Sequence, residues 1–103
     1  MIDINLIKAH KNNRNIYVTE HCDIKMHIRN ITNADIYSAI DNGRIIKQYE
    51  DDKPFPSCLI SGYSGKRPIH IVVGTGGETS YLITAYEPDA DIWNEDFTKK
   101  KGS

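Results

Sequence analysis

Four strand-like runs follow one another in the second half of the chain with very little between them. "RIIKQY" (44–49), "CLISGY" (58–63), "PIHIVVGT" (68–75) and "TSYLITAY" (79–86) carry the β-branched and aromatic residues that suit a pleated surface. The last three are joined only by "SGKR" (64–67) and "GGE" (76–78), and the first connection is the proline-bearing "DDKPFPS" (51–57). A parallel crossover needs about a dozen residues, so consecutive strands this close must run antiparallel. The pattern predicts a four-stranded antiparallel meander.

The first half changes period. Residues 2–11 read as a short first helix with Ile2, Leu6 and Ile7 as its apolar stripe. Thr19 is a natural N-cap for a second helix running to about Arg29. In "TNADIYSAIDNG", Thr32 or Asn33 caps a third helix. There Ile36, Ala39 and Ile40 face the core, Asp35 or Asp41 points outward, and Gly43 stops it. Helices followed by strands give an α+β class, with the N-terminal helices packed on one face of the sheet. One domain over 1–103 is expected. The end, "EPDADIWNEDFTKKK", offers Trp93 and Phe97 as anchors, and 98–103 are expected to form a flexible basic tail.

Charge and cysteine usage narrow the function classes. Thirteen Lys and Arg against fourteen Asp and Glu leave a formal net charge of -1. Any anion site must therefore come from local arrangement rather than from a basic surface. No run of about 18 apolar residues is present to span a membrane. The opening "MIDINLIKAHKNN" lacks the basic-then-apolar order of a secretory signal. Two cysteines, Cys22 and Cys58, are too few for a disulfide scaffold, so a reduced, cytoplasmic protein is expected. His10, His21, His27, His70 and the cysteines show neither H-x-x-x-H nor C-x-x-C spacing. No metal site is expected, no cofactor, and no small-molecule ligand.

The helix "TEHCDIKMHIRN" (19–30) places His21, Lys25 and Arg29 at steps of four. With His21 at zero, Lys25 falls near ~40° and Arg29 near ~80° around the axis. Ile24, Ile28 and, if the helix continues, Ile31 cluster at roughly 280° to 340°, and Cys22 and Met26 at about 100° to 140°. Asp23, His27 and Asn30 hold the opposite arc. The basic stripe thus lies between two apolar patches, where burying an unpaired charge is costly. Two explanations stand: the stripe faces an anionic ligand, or its long stems snorkel outward past the apolar flanks.

Strand alternation sets His70 and Val72 on one face, opposite Ile69, Ile71 and Val73. It likewise groups Leu82, Thr84 and Tyr86 opposite Tyr81, Ile83 and Ala85. A histidine interrupting an apolar strand is most often a satisfied core residue. Its coincidence with Tyr86 on the neighbouring strand makes it a candidate.

These segments resemble a family of small bacterial and archaeal proteins filed as a domain of unknown function. Its pattern is a helix H-x-x-x-R-M-x-x-R, then G-x-I-I-x-x-Y, P-S-x-L-x-x-G, P-L-H-V-V and T-x-Y-x-P-x-x-x-x-W. The chain has "HCDIKMHIR" (21–29), "GRIIKQY" (43–49), "PSCLISGY" (56–63), "PIHIVV" (68–73) and "TAYEPDADIW" (84–93). The resemblance covers about 19–97. It implies a fold distantly similar to RelE, barnase and colicin ribonucleases, and a toxin–antitoxin pair whose antitoxin carries a zinc finger and a helix-turn-helix domain. Through it, His21, Arg29, His70 and Tyr86 match the family's histidines, second arginine and tyrosine. Lys25 stands where the family usually has arginine. That substitution keeps the charge but loses the bidentate fork that suits a phosphate.

The implied activity is a metal-independent endoribonuclease acting on RNA. Such chemistry needs a base for the 2′-hydroxyl, an acid for the leaving 5′-oxygen, and cations around the phosphorane. His21 and His70 are the acid–base candidates in either order. Lys25 and Arg29 would stabilise charge, and Tyr86 would position the phosphate or share proton transfer. Lys66 and Arg67 in the tight connection, and the Lys99–Lys100–Lys101 end, would track the RNA backbone. The alternative is a catalytically silent interaction module whose stripe pairs with its own carboxylates, such as Glu20, Glu50, Asp51 or Asp52.

Overall fold

A computed structural model describes residues 1–102. Three helices precede the sheet strands of the meander: α1 (Ile4–Asn12), α2 (Glu20–Ile28) and α3 (Asn33–Asn42). Each begins where a short polar side chain can take an otherwise orphaned backbone N–H. Asp3 accepts from the Asn5 amide, and Thr19 from that of Cys22. Thr32 and Asp35 form a reciprocal capping box, each accepting from the other's backbone N–H. Gly43 closes α3, and Ile36, Ala39 and Ile40 are buried as the spacing requires.

α2 ends in a Schellman motif. The Ile31 amide reaches back to the Met26 carbonyl and the Asn30 amide to that of His27, with Asn30 at φ +55°. Met26 and Ile31 are both buried, as the hydrophobic contact of that motif demands. The helix thus stops before Ile31, and its core side is Cys22 and Met26. Ile24 and Ile28, 51% and 69% exposed, face solvent. The expected isoleucine patch is therefore only on the helix surface, because α2 lies along one strand and needs a single narrow apolar line.

The strands of the meander are β2 (Arg44–Tyr49), β3 (Ser57–Ser64), β4 (Arg67–Gly76) and β5 (Thr79–Tyr86), each antiparallel to the next. A further strand corrects the four-stranded expectation. β1 (Ile16–Val18) adds to the far side of β5 and runs parallel to it, giving a five-stranded mixed sheet in the order β1-β5-β4-β3-β2. Three residues are too few to show a period of two, and the partner lies far along the chain. Nothing local distinguishes "IYV" from a linker between helices.

The helices cover one face of the sheet, which supplies Cys58, Ile60, Ile69, Ile71, Val73, Leu82 and Ala85 to the core. A bulge in β5 departs from plain alternation. Val73 pairs with Leu82 but Val72 with Thr84, leaving Ile83 without a partner. Leu82 and Ala85 thereby both turn inward, and Thr84 and Tyr86 share the other face. Leu82 is not on the face of Tyr86, contrary to strict alternation.

The segment after β5 does not trail away. The Asn94 amide donates to the Lys99 carbonyl, the Lys101 amide to that of Ile92, and Trp93 bridges to Lys100. This strap folds over the sheet face that carries no helices. Ser103 of the expected flexible tail lies outside the described residues.

Candidate functional site

The helix-free face carries a row of residues in register across four strands. Arg44 pairs with Ser61, Ser61 with His70, and His70 with Tyr86. Cross-strand partners lie within direct reach of one another. His70 is fully buried, yet both ring nitrogens are satisfied. Its Nε2 stands 2.8 Å from the Phe97 carbonyl oxygen and its Nδ1 3.2 Å from the Tyr86 hydroxyl. A carbonyl only accepts, so Nε2 carries the proton and the Tyr86 O–H donates to Nδ1.

The strap closes over His70. The Trp93 ring meets the imidazole edge to face with centroids 4.5 Å apart, and the Tyr86 ring does so at 5.3 Å. Burial lowers the His70 pKa, opposed by the hydrogen bond to Phe97, so the ring is held neutral. Burial raises the Tyr86 pKa, and nearby Tyr49 adds to this. The positive charge of Arg29 works the other way.

Arg29 belongs to this end of β5. Its Nη1 donates to the Ala85 carbonyl at 2.8 Å and approaches the Thr84 hydroxyl at 3.4 Å. β1 stops at Leu82, so the edge of β5 beyond it has free carbonyls, and the guanidinium satisfies one of them. Among the described residues no carboxylate pairs with Arg29. Lys25 is half-buried on the same stripe and His21 is exposed, neither with an ion-pair partner among the described residues. The structure therefore joins Tyr86 to His70 and brings Arg29 to the same end of β5, whereas Lys25 and His21 lie one and two turns back along α2 and do not reach the pair.

Lys66 is exposed in the β3–β4 turn. Arg67 has a different position. Its Nη1 and Nη2 donate to the carbonyls of Asn30 and Arg29 at 2.7 and 2.8 Å, and its Nε lies 3.0 Å from Glu87. Asp35 adds a carboxylate at 3.7 Å. The whole fork closes the C-terminus of α2, where a cation also meets the negative end of the helix dipole.

Ser61, Arg44 and the strap's Asp96 and Phe97 carbonyl were not foreseen as site components. The Ser61 hydroxyl donates to the same Phe97 oxygen at 3.3 Å, and Arg44 lies 3.7 Å from the Asp96 carboxylate. The Ser61–His70 pairing follows from counting back along the tight "SGKR" turn. The Arg44 position depends on a bulge at Ile46 that no local pattern announces.

The two cysteines are buried and unpaired. Burial pushes the Cys22 thiol up to about 11 and that of Cys58 to about 12, so neither is a nucleophile. Among the described residues no group of three His, Cys, Asp or Glu side chains is placed to hold a metal. No helix among them is long and apolar enough to cross a membrane.

No curated protein and no solved structure matches the chain. Residues 18–87, which run from the last residue of β1 to Glu87 just past β5, match the model of a domain of unknown function, and on that match the chain belongs to the DUF4258 family.

Proposed function

We propose that the domain is the toxin of a toxin–antitoxin pair and cleaves RNA without a metal. One observation carries the reading: His70 and Tyr86 are hydrogen-bonded at the end of β5, where Arg29 has no carboxylate partner among the described residues. Helices followed by the β2–β5 meander are also the order expected of a RelE- or barnase-like ribonuclease. His70 is the central proton carrier, polarised through Nδ1 by Tyr86. Arg29 offsets charge on the phosphorane, while Lys25 and His21, one and two turns back along α2, are reached by the same RNA only where it runs along that helix. Its partners are then RNA and a zinc-finger, helix-turn-helix antitoxin, and the cytoplasm is its place of action.

A second reading has its own support. His70 is fully buried with both nitrogens engaged, as a structural histidine in an interaction module would be. One experiment separates the two. Wild type, His70→Ala and Tyr86→Phe are induced in cells without the antitoxin, and growth and RNA ends are followed. Arrest with new RNA ends from wild type, lost in His70→Ala, supports the ribonuclease. No arrest and no cleavage from folded wild type overturns it in favour of the module.

A further inference from the structure

We infer that Arg44, Ser61 and His70 form a phosphodiester-binding row, and that the strap residues Asp96 and Phe97 occupy it as a built-in substitute for that ligand. The inference rests on the RNA-directed reading of the same site and adds two residues and a closed state to it. Three donors from three neighbouring strands point at oxygen atoms of one dipeptide. His70 Nε2 and Ser61 Oγ converge on the Phe97 carbonyl at 2.8 and 3.3 Å, and Arg44 faces the Asp96 carboxylate at 3.7 Å. A cation with two neutral donors, carried on adjacent strands, suits a phosphodiester, whose two non-bridging oxygens share one negative charge.

The strap is shaped to deliver those oxygens. Asp96 accepts from the Thr98 amide and hydroxyl, and the Phe97 amide donates to the Asn94 carbonyl. Phe97 takes φ +59°, a left-handed backbone that is uncommon for a bulky residue. Strain of this kind persists where the surroundings over-determine it. Seating is incomplete elsewhere: a cleft of about 220 Å³ stays open between Trp93, Lys100 and the β2–β3 surface. The strap thus holds the sheet through the Trp93 ring and the Asp96–Phe97 oxygens. It also lies wholly beyond the matched residues 18–87, on top of a row that they supply.

A ligand that needs the row must displace the strap, so its apparent affinity is reduced by the open fraction. The test uses a 2′-O-methyl RNA decamer, which binds but cannot be cleaved through a 2′-hydroxyl. Its affinity is measured by anisotropy for the full chain, for Trp93→Ala and for Asp96→Ala. Loosening the strap is expected to tighten binding about tenfold, and adding Ser61→Ala or Arg44→Ala to either variant is expected to reverse the gain. Trp93 is the single tryptophan, and in wild type its emission is expected to shift red as RNA lifts it from His70. Folded strap variants that bind no tighter overturn the inference, as does binding indifferent to Ser61 and Arg44. Competition by an acidic peptide as strong as by RNA also overturns it, assigning the row to a protein partner. Asp96 is exposed, so its variant reads out even where Trp93→Ala fails to fold. Strap-dependent binding without cleavage of ordinary RNA sinks the ribonuclease reading alone.

Discussion

The Tyr86 hydroxyl stands 3.2 Å from Nδ1 of His70, and the two residues face each other only because Ile83 is bulged out of β5. Counting from the hairpin pair Gly76–Thr79, unbroken register would set His70 opposite Ala85. One extra residue moves Tyr86 into that place and leaves Ala85 in the core beside Ile71. A local defect in the ladder thus creates the pair on which the functional reading rests. Bulges commonly re-aim side chains in this way.

Tyr86→Phe removes the donor to Nδ1 while keeping the ring against His70. The imidazole cannot compensate by switching tautomer, because the Phe97 carbonyl needs the proton at Nε2. A buried acceptor without a partner costs about 1–3 kcal/mol. Urea unfolding should show that loss, and RNA cleavage, if it is present in wild type, should fall with it.

Buried, neutral His70 also makes stability pH-dependent. Its folded pKa lies below the ordinary value of about 6.5, chiefly through burial. Between those two values the unfolded chain holds a proton that the folded chain does not. The contribution is fully present above about pH 6.5 and is lost as pH falls through the folded pKa, by at most about 1.4 kcal/mol per pH unit. Unfolding of wild type and His70→Asn at pH 7.5 and 5 checks this. The other histidines are common to both proteins, so the stability gap between them should narrow at the lower pH.

The meander, α2 and α3 were legible because each rests on local chemistry: tight turns between apolar runs, and Thr19 and Thr32 as caps. α1 starts later than its apolar stripe suggests, with Ile2 ahead of it, Asp3 as its cap and Leu6 exposed. β1 was not legible, since "IYV" finds its partner only once the chain has folded. The outward turn of Ile24 and Ile28 was equally hidden. Residue period locates an apolar face, but the number of elements packed on a helix decides whether the face is used. In the site, His70 could be singled out as a polar residue interrupting an apolar strand, Tyr86 by its place on the neighbouring strand, and Arg29 by its step-of-four spacing along α2. Ser61 and Arg44 look like ordinary strand residues until the register and the strap give them a common acceptor.

Arg67 was expected to track RNA, and its geometry predicts a stability effect instead. Arg67→Ala strips the carbonyls of Arg29 and Asn30 of their donors and leaves Glu87 and Asp35 without their cation. A loss of about 1–3 kcal/mol is expected. Arg67→Lys should recover only part of it, because one ammonium cannot span the three directions of the fork. Unchanged stability with weakened RNA binding would reassign Arg67 to the interface.

Both thiols should be silent in the native protein. With pKa values pushed to about 11 and about 12, the thiolate fraction at pH 8 is on the order of one part in a thousand or less. Neither side chain has exposed surface. A disulfide reagent should therefore label Cys22 and Cys58 at the rate of unfolding, and at once in denaturant. Rapid labelling of Cys22 under native conditions would mean that α2 opens from β5 on its own.

α3 packs closely on β3 at Gly62, and the approach predicts a damaging small substitution. A Cβ added at Gly62 would lie 2.1 Å from the Ala39 carbonyl oxygen and 2.8 Å from its carbon. Both are backbone atoms, so no rotamer change relieves the clash, and the helix must move away from the strand. That movement would unseat Ile36 and Ile40, both fully buried. Overpacking of this kind costs about 1–3 kcal/mol or more, and Gly62→Ala should lower the urea midpoint by about 1 M or more. Gly65 is the control. It has φ +61° with open space around it, so Gly65→Ala meets only the left-handed backbone penalty of about 1–2 kcal/mol and leaves the core intact. Near-ultraviolet circular dichroism should change for Gly62→Ala and not for Gly65→Ala, and equal behaviour of the two would place the close approach elsewhere.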